Sequence, residues 1–240
     1  MKFACFFLLC LCFGFSLRAA EAVPRLSQER IVFRTNVGDM IVALYPDIAP
    51  QHTAQILQLA RLGVFDGTAI FRIEPGFVAQ TDNYDRRTPP LTDQQFRAVV
   101  KIPAEFSSIE HRRGLLSMAR QDDVDSAEAS FSFMLGKAPH LDGQYTVFGE
   151  VVAGLDVLDK IEEQPVNENH VPQNLLEITK AEVIENGDVS AIHINSAHDY
   201  EAPYEVVRKF FLAFAFGAFA LTILLPIIKT AFEKNKKSKN

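Results

Sequence analysis

Two stretches without a charged residue bound this chain, residues 3–15 near its start and residues 210–228 near its end. Nothing else in the sequence limits so strongly what can fold in water. Residues 1–22 have the layout of a secretory signal peptide. Lys2 opens it, an apolar run follows from Phe3 to Phe15, and small residues come next at Ala19, Ala20 and Ala22. Cleavage after Ala20 or Ala22 is expected. As a helix, residues 210–228 would rise about 28 Å, close to the ~30 Å hydrocarbon core of a bilayer. Arg208, Lys209 and Lys229 flank that run. The basic tail at 229–240 is expected in the cytosol by the positive-inside tendency, with the rest of a single-pass protein on the other side. A secretory-pathway membrane, the endoplasmic reticulum or later, is the expected location. Between the ends lie a foldable stretch at 23–184, about 160 residues and the size of one domain, and a polar stalk at 185–209.

Charge and cysteine narrow the chemistry. Net charge is −6 overall, with +1 in residues 1–22 and +4 in residues 229–240, so residues 23–209 carry −11. A domain that acidic repels a phosphate backbone, and nucleic acid is excluded as a partner. Cys5, Cys10 and Cys12 all lie in the leader. Its removal leaves no thiol for a disulfide, a thiolate metal site or a cysteine nucleophile.

The stretch between reads as many short strands and two helices. Ile31–Thr35 and Met40–Leu44 flank the turn-forming Asn36, Val37, Gly38 and Asp39. Pro50 opens a helix with apolar residues at helical spacing, and Gly63 closes it. Further strands are expected at Ala69–Ile73, Phe77–Gln80, Gly114–Ala119, Phe131–Leu135 and Thr146–Val151, then a helix at Leu155–Glu162 and a strand near Leu175–Ile184. This pattern predicts a closed or sandwiched antiparallel sheet. Metalloprotease, nucleophile-elbow, P-loop and dinucleotide fingerprints are all missing. The acidic run Asp122, Asp123, Asp125 lacks the spacing of a calcium loop and reads as solvated.

One phrase carries more information, FRIEPGFVAQ from Phe71 to Gln80. It resembles the signature of the cyclophilins. The stretch before it, NVGDMIVALYPDIAPQHTAQILQLARLGVFDGTAIF, is similar to the family's first hairpin and helix. RGLLSMAR resembles the G-x-x-S-M-A segment, and APHLDGQYTVFGEVV the W-L-D-G-x-H-x-V-F-G-x-V segment. The likeness spans about residues 30–184 and is closest to plant-type secretory-pathway members that also carry SFS and APHLD. It implies an eight-stranded antiparallel barrel capped by two α-helices, peptidyl-prolyl cis–trans isomerisation of Pro-containing polypeptide clients, a monomer, and no metal or cofactor.

The reaction suits such a site. Rotation about an X–Pro bond is opposed by a barrier of about 18–20 kcal/mol, because the nitrogen lone pair is delocalised into the carbonyl. No bond to substrate need break; the site has only to favour the twisted amide. A guanidinium aimed at the prolyl nitrogen does this where the lone pair localises. By motif position the resemblance assigns that part to Arg72. Phe77 would be the floor of the proline pocket, Val78 an apolar wall, Gln80 the group that orients Arg72, and Leu141 the closing wall. Ala119 and Arg120 would meet the peptide backbone. Departures from the family pattern are His140 for a Trp, Tyr145 for a His, Ser130 for a Gln and Ser132 for a Phe. Counted back from Leu141 without a gap, Ser132 takes the pocket position and Phe133 turns away; a one-residue slip would reverse both faces. The departures keep a second reading open, a weak or inactive cyclophilin-like module that binds Pro-containing partners at the membrane.

Overall fold

The computed structural model describes residues 24–185 except 85, 86 and 88. The expected signal peptide, span and basic tail, and nearly all of the stalk, lie outside the described residues. Among the described residues no helix is long and apolar enough to cross a membrane.

Eight strands close into one antiparallel barrel: β1 (Arg30–Thr35), β2 (Gly38–Leu44), β3 (Thr68–Glu74), β4 (Val78–Thr81), β5 (Leu115–Met118), β6 (Phe131–Met134), β7 (Val147–Ala153) and β8 (Glu177–Ile184). Their order around the barrel is β1-β2-β7-β5-β6-β4-β3-β8. Closure leaves no sheet edge exposed. The first hairpin turns on Asn36 and Val37 alone, since Thr35 pairs with Gly38. Gly38 and Asp39 thus belong to β2 rather than to the turn. Inside the barrel, Phe33, Phe65, Phe131, Phe133 and Phe148 meet mostly edge to face, at centroid separations of 5.3–5.9 Å.

Helix α1 (Pro50–Arg61) buries Ile56, Leu59 and Ala60 against this cluster. Its start has no side-chain cap of its own. Glu105, distant in sequence, supplies one. Its carboxylate accepts from the backbone N–H of Gln51 and of His52, each at 3.0 Å, and meets His52 Nδ1 at 2.6 Å. Helix α3 (Leu155–Glu162) packs Val157, Leu158 and Ile161 on the same cluster. The expected pair of helices is joined by a third, α2 (Asp93–Ala98). It buries no residue of its own, and a capping box between Thr92 and Gln95 starts it. Its apolar content is too low for periodicity to show it.

Candidate active site

β3 and β4 are joined by Glu74-Pro75-Gly76-Phe77. Proline in the second place and glycine at φ 72° in the third are what a type II turn requires. The Gly76 N–H donates to Glu162 Oε1 at 2.7 Å, so the end of α3 holds the turn. The register then fixes the site. Arg72 pairs with Gln80 across β3 and β4, and Gln80 with Ser132 across β4 and β6. Ser132 in turn lies opposite Ser117 on β5. Because side chains alternate along a strand, these residues share the outer face, while Ile73, Ala79 and Phe133 point into the barrel.

On that outer face lies a cavity of about 230 Å³. Arg72, Phe77, Val78, Gln80, Ala119, Arg120, Ser132, Leu141 and Tyr145 all line it, nine of the eleven residues expected of the site. The Arg72 guanidinium donates to Gln80 Oε1 at 3.4 Å and to Glu74 at 2.5 Å, and stands 5.7 Å from the centre of the Phe77 ring. Both Arg72 and Glu74 are about one-third exposed. The cation therefore stays in contact with solvent while two acceptors fix its fork. Arg120 contributes a side chain, and not only the backbone contact expected of it. Its guanidinium lies 4.4 Å from the Tyr145 ring centre and donates to the carbonyls of Gln121 and Gln144.

Two expected residues stand elsewhere. Ser130 lines the adjoining cleft with Gln80 and Arg120, and its hydroxyl donates to Thr81 O at 2.7 Å. His140 sits exposed on a short 3-10 turn, Pro139–Leu141, with its ring 5.1 Å from that of Phe77. It backs the pocket floor from outside rather than lining the cavity.

Met134, Ser117 and Met118 line the cavity without having been expected there. Strand alternation from Ser132 is a signal for Met134. Ser117 belongs to a chain of polar groups behind the wall. His111 Nε2 lies 2.9 Å from Ser117 Oγ, and His111 Nδ1 lies 2.8 Å from Asp142 Oδ1. A carboxylate only accepts, so Nδ1 carries the hydrogen and Nε2 accepts from the Ser117 hydroxyl. Burial pushes the His111 imidazole below its ordinary value of 6.5, against the pull of Asp142. The bond donated by the His111 backbone N–H is the main cause holding the Asp142 carboxyl low. Asp142 directly follows Leu141, so this chain ties the closing wall to β5.

The family model for cyclophilin type peptidyl-prolyl cis-trans isomerases matches residues 30–183, almost the whole barrel. The chain belongs to the cyclophilin family. Among curated relatives, the peptidyl-prolyl cis-trans isomerase CYP23 of Arabidopsis thaliana is 45% identical over 160 residues, covering 66% of this chain and 71% of that protein. A probable peptidyl-prolyl cis-trans isomerase of Brucella suis is 36% identical over 178 residues, covering 70% of this chain and 89% of the relative. Among solved structures, a Cryptosporidium parvum cyclophilin superposes with a TM-score of 0.59 at 23% identity, covering 68% of this chain and 99% of that one. That likeness concerns the fold. The cyclophilin barrel expected from the sequence is present, with one helix more than the expected pair.

Proposed function

We propose that this cyclophilin catalyses cis–trans isomerisation of X–Pro bonds in polypeptides, with Arg72 as the group that stabilises the twisted amide. The observation that carries this reading is the placement of Arg72. Its guanidinium is held by Gln80 and Glu74 at the side of a cavity floored by Phe77, Val78 and Met134. A proline ring on that floor brings its nitrogen toward a fixed cation. There the lone pair, freed as the amide twists, is stabilised more than in the planar ground state. Phe77, Val78, Met134 and Leu141 take up the ring's hydrocarbon, and Ala119 and Arg120 meet the flanking peptide. The charge-free runs at 3–15 and 210–228 support a finer reading, a single-pass folding catalyst of a secretory membrane with its barrel away from the cytosol. Carbonate extraction of membranes, with protease protection of the barrel, tests that placement. Release at high pH would refute it.

A binding module without catalysis is the competing reading, favoured by the loss of an aromatic wall at Ser132. Exchange NMR on a Pro-containing tetrapeptide separates the two. The full chain is expected to raise the cis–trans exchange rate as well as shift the peptide's resonances. Shifts without faster exchange would leave a binding module.

A further inference from the structure

The cavity floor divides into two rows. β4, β6 and β5 lie side by side, and their register lines up Gln80, Ser132 and Ser117. Val78 and Met134 form the next row. Directly opposed side chains on one face of a sheet stand about 4.5–5.5 Å apart, so each row is continuous. The apolar row joins Phe77 and Leu141 in one small cluster. In the polar row, Gln80 is engaged by Arg72 and Ser117 by His111. Among the described residues the Ser132 hydroxyl has no hydrogen-bond partner, although Ser132 is only 8% exposed and lines the cavity.

A plain proline ring suits half of this floor. Its methylene edge, pressed on Ser132, strips water from a hydroxyl and offers no bond in return, which is unfavourable. The family pattern has an aromatic side chain at this position; serine leaves both space and a donor–acceptor group there. A cationic substituent would meet the Arg72 and Arg120 guanidiniums in the same cavity, and a charge of either sign would lose water beside the uncharged Ser132 hydroxyl. A neutral hydroxyl on the ring matches the position. We propose that the pocket prefers a prolyl ring bearing a polar substituent, 4-hydroxyproline being the simplest, whose hydroxyl bonds Ser132 while Phe77, Val78, Met134 and Leu141 hold the ring's hydrocarbon. The preference rests on the isomerase reading of the Arg72 pocket. Ser132 is on this account a specificity-determining residue.

The test compares two tetrapeptides that differ only in proline or trans-4-hydroxyproline, using exchange NMR with the full chain. Each catalysed rate is referred to the same peptide's uncatalysed rate. The ratio of kcat/KM, hydroxyproline over proline, is expected at about five, the weight of one net hydrogen bond. Ser132→Ala keeps the space and removes the hydroxyl, and is expected to bring the ratio toward one. Ser132→Phe refills the space and is expected to carry it below one. Circular dichroism verifies that each variant is folded, and Ser132→Ala adds no bulk that could prevent folding. Acceleration of both peptides with a ratio at or below one overturns the preference and leaves the isomerase standing. A ratio that Ser132→Ala does not change overturns the role of Ser132. Acceleration of neither peptide overturns the isomerase reading, and the preference with it.

Discussion

Replacing His111 with leucine removes both side-chain bonds of the Ser117–His111–Asp142 chain and keeps an apolar side chain of similar reach. His111 is 2% exposed and Ser117 3%, so water meets the hydroxyl only from the cavity that Ser117 lines. Each lost bond is worth about 1 kcal/mol net, and an unpaired buried hydroxyl costs about 1–3 kcal/mol more. Asp142 counts for less, because its side chain is 30% exposed and it keeps the His111 backbone N–H at 2.7 Å. The expected loss is about 2–4 kcal/mol. With a urea slope of about 2 kcal/mol per molar, the unfolding midpoint falls by about 1–2 M. The chain has no tryptophan, so far-UV circular dichroism follows the transition. Adding Ser117→Ala removes the stranded hydroxyl. The double variant is therefore expected to fall short of the sum of the two single losses by about 1–2 kcal/mol. Simple additivity, or a His111→Leu loss under about 0.5 kcal/mol, would refute the coupling drawn between β5 and the Leu141 loop.

Other outcomes follow from the same structure. Phe133→Ala is expected to cost about 3–5 kcal/mol, because Phe133 lies fully buried among the barrel's phenylalanines; a urea midpoint near that of the parent chain would mean that β6 is in another register. Glu105→Gln should cost about 1–2 kcal/mol through a weakened cap on α1, read in the same unfolding titration, and no change would argue that water replaces the carboxylate. Burial holds both His52 and His111 below their ordinary value of 6.5, so the unfolded chain takes up protons that the folded chain refuses. Stability is then expected to decline as pH drops from about 7 toward 5, and a urea midpoint flat across that range would be inconsistent with two neutral buried imidazoles.

The barrel was legible because short β-branched runs, separated by glycine, proline and aspartate, state strand and turn locally. The pocket side of β6 was legible too. Period-two alternation counted back from Leu141 puts Ser132 out and Phe133 in, and the pairing of Ser132 with Gln80 agrees. Helix α2 carried a local signal, the Thr92 to Gln95 capping box, that apolar periodicity passes over. Contacts made at long range had no local signal. Glu105 capping α1 and Asp142 bonding His111 join residues 53 and 31 positions apart. The place of His140 was likewise a matter of how the 3-10 turn presents its ring to Phe77, which spacing does not encode.

Catalysis by the Arg72 guanidinium is decided by kcat/KM for a proline tetrapeptide, measured on the parent chain, Arg72→Ala and Arg72→Lys. Loss of one preorganised charged donor is expected to lower kcat/KM about 100-fold or more in Arg72→Ala. Lysine lacks the planar fork that Gln80 and Glu74 hold, so Arg72→Lys is expected to recover little of that loss. An Arg72→Ala protein that keeps kcat/KM within about threefold of the parent, a difference of only about 0.6 kcal/mol in the barrier, would contradict the account.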